Sequence, residues 1–403
     1  MIVGLVTPAL HVQSGYGIQA RHLCRKLRQD GHVPEVYAIS GVGAGTLNID
    51  GVRHWPAGKL AYQRDTLIRN VLDSRAQVVL TLCDLAHQDP AQHAQLRAAG
   101  IQVLHWMPID CEPLSMIDEG VLRYGGGQPV AMSRFGEARL RDRKFEPCYV
   151  PHAVDTGTFF PMAGQTRDQL RLSLGVDLEA DGTVRRRFAV ALAAANMDLS
   201  RKGFFEAYEA FAVFHGKHPD SVLLLHSELD GQFDHAEHIR LLGLEEAVIV
   251  ADDHLIKTGQ LDAAYMASWM NTADAGLMAS WAEGFGVPAI EYQACGVPVI
   301  ATDCSALTEL VTPGTGWRVP SEAKWNPLHK RRWRAPWIGG IAQALEKAHL
   351  AWSRGGNAWQ ARRERARVFA EGYDVDAVYE QWWRPVLARC EAGDFKVDSK
   401  ADA

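Results

Sequence analysis

Two glutamates and the glycines between them carry the first sign of chemistry. Glu283 and Glu291 stand with seven residues between them in Ala279-Ser280-Trp281-Ala282-Glu283-Gly284-Phe285-Gly286-Val287-Pro288-Ala289-Ile290-Glu291. Gly284 and Gly286 let a ligand come close to the backbone and offer bare N–H groups, which suits a phosphate. Pro288 suits the first turn of a helix, whose N-terminus would add partial positive charge. A carboxylate cannot share that anion, because like charges repel. Both glutamates are therefore expected to face neutral groups, most simply hydroxyls. Anion donors flanked by two hydroxyl-seeking carboxylates describe a nucleotide-sugar site. A second stretch, Asn196-Met197-Asp198-Leu199-Ser200-Arg201-Lys202-Gly203, offers two cations. Where such a stretch leaves a strand just before a helix, Arg201 and Lys202 stand where a diphosphate would lie.

These stretches need strands before them and helices after them. Strand-forming runs are Ile2–Thr7, Pro34–Ile39, Gln77–Leu82, Ile101–His105, Pro129–Met132 and Cys148–Val150. Helical patterns alternate with them near Ile18–Gln29, Leu60–Asp73, Ala91–Ala99 and Phe135–Arg143. In the first helix Ala20, Leu23, Cys24 and Leu27 share one face, and Gly31 stops it. After a linker and lead-in helix over Phe159–Gly182, a second series follows: Phe188–Ala195, Val222–His226, Ala247–Ala251, Ala273–Met278, Val297–Thr302 and Gly316–Val319. Strand–helix–strand repetition predicts an α/β protein with two doubly wound, Rossmann-like domains. At 403 residues each can bury its own core. The boundaries drawn are 1–160, 161–360 and a helical 361–403 ending in a frayed tail. Ala361–Cys390 reads as helical and holds Trp382-Trp383.

Apolar content of 47% with 22% charged residues is ordinary for a soluble globular protein. A net charge of −6 argues against binding nucleic acid over the whole surface. Seven cysteines without a Cys-x-x-Cys pair read as free thiols in a reducing compartment, hence cytoplasmic. Met1–Val6 lacks a basic n-region and reads as a strand rather than a signal peptide. No apolar run reaches spanning length, so no integral membrane segment is expected.

Glu283-Gly284-Phe285-Gly286 running to Glu291, then Ala294-Cys295-Gly296-Val297-Pro298-Val299-Ile300-Ala301-Thr302-Asp303, resembles the donor-site motif of retaining glycosyltransferases of the GT-B fold, family 4. The resemblance implies two domains facing each other across a cleft, with 161–360 on the donor side and the C-terminal helices running back onto the first domain, for which Trp382-Trp383 are suitable anchors. It implies a nucleoside-diphosphate sugar as donor (a UDP- or GDP-sugar), no metal and no further cofactor. Glu291 would hold the ribose hydroxyls and Glu283 the donor sugar. Gly284, Phe285 and Gly286 amides, with Lys202 and Arg201, would stabilise the leaving diphosphate. Gly15 and Gly17, in Ser14-Gly15-Tyr16-Gly17, match the family's glycine-rich first loop over that diphosphate. A sugar-contacting histidine is implied near Val103–Pro113, where Asp110 could bind a hydroxyl, accept the acceptor's proton, or cap the following helix. The acceptor stays open among protein, lipid, small molecule, polysaccharide and modified nucleic acid. The chain departs from the family at His152 and Ala153, in its Pro-Asn-Gly-Val-Asp segment, and at Met197, where the family carries arginine.

Two rivals differ in class. One is a GT-B-shaped sugar-nucleotide binder without turnover. The other is a nicotinamide-dependent dehydrogenase, since Gly15-Tyr16-Gly17-Ile18-Gln19-Ala20 with Glu35 spells a dinucleotide fingerprint. That fingerprint wants its first glycine where the strand ends, and here seven residues, Pro8 to Ser14, intervene. Asp374-Val375-Asp376 spells the metal motif of the GT-A fold, but without a strand before it a helix cap is expected. His215/His218 and His235/His238 have one-turn spacing and are expected on solvated faces. Lys324–Trp337 interleaves cations and tryptophans, which can hold a phosphate backbone with stacking or an anionic membrane face; the favoured expectation is a long connection, tryptophans on the core and cations in water.

Overall fold

The computed structural model describes residues 1–327 and 330–396. They divide into two compact units, Met1–Ala153 with the chain from Val375 onward, and Val154–Asp374.

In the first unit, β1 (Ile2–Thr7), β2 (Val33–Ala38), β3 (Leu47–Ile49), β4 (Val52–Trp55), β5 (Val78–Thr81), β6 (Gln102–Met107), β7 (Gln128–Ala131) and β8 (Cys148–Tyr149) form one sheet. Its order is β3-β4-β2-β1-β5-β6-β7-β8, parallel except where β3 meets β4. The β3–β4 hairpin was not expected. Its signal was Asp50-Gly51, both with positive φ, as a tight hairpin turn requires. The helix expected over Leu60–Asp73 shortens to Leu67–Ser74. Tyr62 and Gln63 take φ of 58° and 62°, and the buried Gln63 amide donates to the Ala38 carbonyl (2.8 Å), ending helical geometry there.

Val375 to Ala392 completes this unit. Trp383 packs edge-on against Trp106 (4.8 Å between rings) and Trp382 against Tyr149 (4.9 Å). Lys26 pairs with Asp376 (3.1 Å), and Tyr379 donates to Asp30 (2.9 Å). The helical tail is therefore not one piece. Gly356–Glu371 is a helix of the second unit, and the chain changes unit at Asp374/Val375, not at 360/361. Asp374 stands directly before the short helix Val375–Val378 and accepts from the Thr156 hydroxyl (2.6 Å), and Asp376 pairs with Lys26. Residues 397–403 of the expected frayed tail lie outside the described residues.

In the second unit the expected lead-in helix is present at Gly164–Ser173, and a small unexpected hairpin follows it, β9 (Leu178–Ala180) and β10 (Thr183–Arg185). Then β11 (Phe188–Ala193), β12 (Ser221–His226), β13 (Val248–Val250), β14 (Ala275–Met278), β15 (Val299–Thr302) and β16 (Gly316–Val319) form an all-parallel sheet, order β13-β12-β11-β14-β15-β16. A hairpin, β17 (Ser321–Asn326) and β18 (Arg331–Pro336), follows. Phe188, Phe204, Phe211 and Phe214 fill the core beside Ile341 and Leu345. Asp274, buried just before β14, is bound by Arg167 (2.8 Å), Arg171 (3.2 Å) and the Ala189 amide (3.0 Å). Burial alone would raise its pKa, but the two guanidinium groups outweigh that and hold it down.

All seven cysteines are free and buried. No helix among the described residues is long and apolar enough to cross a membrane.

Candidate functional site

The second sheet reverses direction between β11 and β14. From β11 the chain moves out through β12 and β13, then returns to β14 on the other side. Loops leaving the C-terminal ends of two strands at such a reversal open a crevice. Arg201 and Lys202 lie in the loop after β11, and Glu283 to Gly286 in the loop after β14.

These two loops are clamped together. Gly203 has φ +62°, and a Cβ there would lie 2.0 Å from the Ala279 carbonyl oxygen, so only glycine fits. The Trp281 amide donates to the Arg201 carbonyl (2.8 Å). Asp198 accepts from the amides of Ser200 (2.9 Å) and Arg201 (2.7 Å), closing the turn that carries both cations. Gly286, φ +101°, leads into the helix Val287–Ala294, with Pro288 in its first turn. The Phe285 ring is buried near Tyr373 (5.8 Å) and anchors the loop.

Glu283 corrects the expectation that both glutamates face neutral groups. Lys202 Nζ donates to its Oε1 at 2.6 Å, Ser280 Oγ donates to the same oxygen at 2.7 Å, and Arg201 Nη1 lies 3.6 Å from Oε2. Burial would raise the carboxyl's pKa, but Lys202 and Arg201 overcome it and hold the group ionised. Glu291 is different. Enclosed by protein yet partly open to water, it makes no hydrogen bond or ion pair among the described residues, and burial pushes its pKa up to about 7.

Several contributors escaped the sequence reading. The Glu283 amide donates to Ser305 Oγ (2.8 Å), and Ser305 holds φ +38° in the loop after β15. Nothing in Asp303-Cys304-Ser305 announces this. The β17–β18 hairpin supports both loops: Asn326 donates to Ser200 Oγ (3.3 Å) and the Arg334 amide to the Trp281 carbonyl (3.0 Å). The stretch Lys324–Trp337 is thus not a connection with all its tryptophans on the core. Trp333 is buried, Trp325 and Trp337 are exposed, and Leu328 and His329 lie outside the described residues.

Gly15, Gly17 and Asp110 belong to the first unit and the other expected site residues to the second. Ser14 caps the helix Gly15–Gln29 by accepting from the Gly17 amide (3.2 Å). A Cβ on Gly17 would meet the Val12 carbonyl at 2.4 Å, whereas nothing lies within 4 Å of one on Gly15. Gly15 is already helical and Glu35 is bound by Arg53 (2.7 and 2.9 Å) and Trp55 (2.8 Å), so the dinucleotide fingerprint lacks both its turn and its acid. Asp110 follows β6, partly exposed. The next helix, Met116–Gly125, is capped by Ser115, which removes the capping role considered for Asp110. His105 is buried between Thr81 (3.0 Å) and the Gly126 carbonyl (3.0 Å), and burial pushes its pKa down to about 4. It is a core residue. The histidine pairs are not simply solvated either. His235 is buried on Tyr208 (2.8 Å), and His218 stands beside Asp220 and His349.

Residues 189–326 match the family model described as glycosyl transferases group 1. The D-inositol 3-phosphate glycosyltransferase of Pseudarthrobacter chlorophenolicus is 30% identical over 212 residues, 51% of this chain and 46% of its own length. The chain thus spans about half the length of that curated relative. Among solved structures, sucrose-phosphate synthase from Thermosynechococcus elongatus aligns at TM-score 0.69 with 20% identity, over 96% of this chain and 99% of its own. Anabaena HepE in complex with UDP and glucose aligns at 0.66 with 16% identity, over 96% and 99%. At these identities the likeness establishes the fold, which is GT-B.

Proposed function

Since this chain has the GT-B fold and carries a group 1 glycosyltransferase segment, we propose that it transfers a sugar from a nucleoside-diphosphate sugar to an acceptor hydroxyl, with retention of configuration. The observation that carries this reading is the clamp at the sheet reversal, where Lys202 Nζ meets Glu283 Oε1 at 2.6 Å beside a glycine loop that opens a helix. In the reading, the donor diphosphate lies over the Gly284–Gly286 amides, and Lys202 and Arg201 turn part of their charge toward it. Glu291 accepts hydrogen bonds from the ribose hydroxyls, the neutral donors its isolated carboxyl lacks. The bond from the sugar's anomeric carbon to the diphosphate breaks as the acceptor oxygen bonds the same face, and the acceptor's proton passes to the departing phosphate. Charge grows on the diphosphate as it leaves, so cations fixed in place beforehand lower the barrier. The chain's own residues supply these interactions without a metal or further cofactor. A UDP-sugar is the first donor to test, because the Anabaena neighbour binds UDP and glucose.

Calorimetry with UDP tests the donor site. Glu291→Ala should weaken UDP binding roughly 10- to 100-fold, because two hydroxyls lose a charged acceptor. An unchanged affinity removes Glu291 from the site. Failure of UDP, GDP and ADP alike to raise the melting temperature overturns the whole reading.

A further inference from the structure

A second cluster lies at the opposite end of the same sheet. Ser221 begins β12, so the turn before it, His218-Pro219-Asp220-Ser221, sits at the N-terminal edge of the strands, away from the loops that carry Lys202 and Glu283. The turn is rigid. Its first carbonyl accepts from the Ser221 amide (2.9 Å) and from Ser221 Oγ (2.7 Å), with Pro219 in the position whose φ the ring presets. His218 and Asp220 therefore project from a fixed frame. Opposite them, the helix Ile338–Arg354 presents Glu346 and His349, one turn apart on one face.

Ligand atoms of His218, Asp220 and His349 all lie within 4.8 Å of one another. Donors about 2.0–2.1 Å from a tetrahedral ion stand roughly 3.3 Å apart, a gap that side-chain torsions can close. His349 Nε2 is buried without a hydrogen-bond partner among the described residues. The ring is held by Phe188 (5.3 Å) and Trp352 (5.5 Å), which leaves that nitrogen fixed. Glu346 Oε2 lies 2.7 Å from His218 Nε2 and 3.3 Å separates its other oxygen from Lys217 Nζ. We propose that His218, Asp220 and His349 form a structural site for a divalent first-row transition ion, Zn²⁺ by its mixed nitrogen and carboxylate donors. Glu346, hydrogen-bonded to His218, lies outside this set and steadies that ring. Two imidazoles and one carboxylate suit zinc better than calcium or magnesium, which prefer oxygen throughout. Bound there, it ties the helix Ile338–Arg354 to the turn entering β12, at the end of the sheet away from the loops that carry Lys202 and Glu283, so it plays no part in sugar transfer.

The test uses the full chain, stripped with a chelator and then titrated with Zn²⁺ against a chromophoric competitor. One equivalent should bind, and saturating Zn²⁺ should raise the melting temperature by about 5 °C. His218→Ala and His349→Gln should each lower the affinity at least tenfold while leaving UDP binding unchanged. Co²⁺ in place of Zn²⁺ should give the intense visible bands of a tetrahedral site in the wild type, a readout that does not depend on any variant folding. Weak binding shared equally by wild type and both variants, or a pale octahedral Co²⁺ spectrum, overturns the proposal. UDP binding without zinc binding rejects this site alone, and the reverse rejects the donor site alone.

Discussion

Glu283 and Glu291 lie in one continuous stretch, on either side of the start of one helix, and their surroundings have opposite electrical sense. Around Glu283 the chain has gathered Lys202, Arg201 and Ser280, so the ionised carboxylate is the stable form. Around Glu291 it has gathered no charge, so ionisation costs free energy that nothing in the described protein returns. The first glutamate is part of the framework that sets two loops in register. The second is held at a cost to folding, as expected of a group whose partner arrives with a ligand.

The linkage signs make this contrast measurable. Glu283 has a folded pKa below its unfolded value, so its stabilisation is present above about pH 4.5 and is lost as pH falls through the folded pKa. Glu291 has a folded pKa of about 7 against 4.5, so its penalty is absent below 4.5 and grows until pH passes 7. The largest expected effect is that of Glu283→Ala, which leaves Lys202 and Arg201 enclosed without their carboxylate. It should cost roughly 3–4 kcal/mol, read as a lower denaturant midpoint at pH 8. A midpoint within error of wild type would show that the two cations simply swing into water. Next is Gly203→Ala, whose Cβ would collide with the Ala279 carbonyl. About 2–3 kcal/mol should be lost, and UDP affinity with it, because the loops separate. Smallest, and opposite in sign, is Glu291→Gln. It should stabilise the unliganded chain by about 2 kcal/mol at pH 8, after discount for its contact with water, and leave it unchanged at pH 4. A destabilising Glu291→Gln would end the comparison.

Much of this was legible in the residues. Apolar runs broken by helical patterns showed both parallel sheets, because a strand covered on both faces must be apolar throughout. Glycine, proline and glutamate spacing marked the loop after β14, since few backbone arrangements use them in that order. Short or polar elements were not legible. The β3 strand, the β9–β10 hairpin and β17 are largely exposed strands whose side chains follow no hydrophobic period. Ser305 and Asp198 belong to the candidate site through hydroxyl and carboxylate bonds to backbone that no spacing announces.

By itself, the sequence determined which segments become strands and helices, where glycine must stand, and that residues 279 to 291 form a glycine loop opening a helix. Those are local properties of backbone conformation and side-chain type. Tertiary structure alone decided what each charge meets. Lys202 finds Glu283 across 81 positions of chain, and Asp274 finds Arg167 and Arg171 across more than a hundred. A carboxylate's pKa is set by the burial and charges within a few ångströms, and only folding brings those neighbours together.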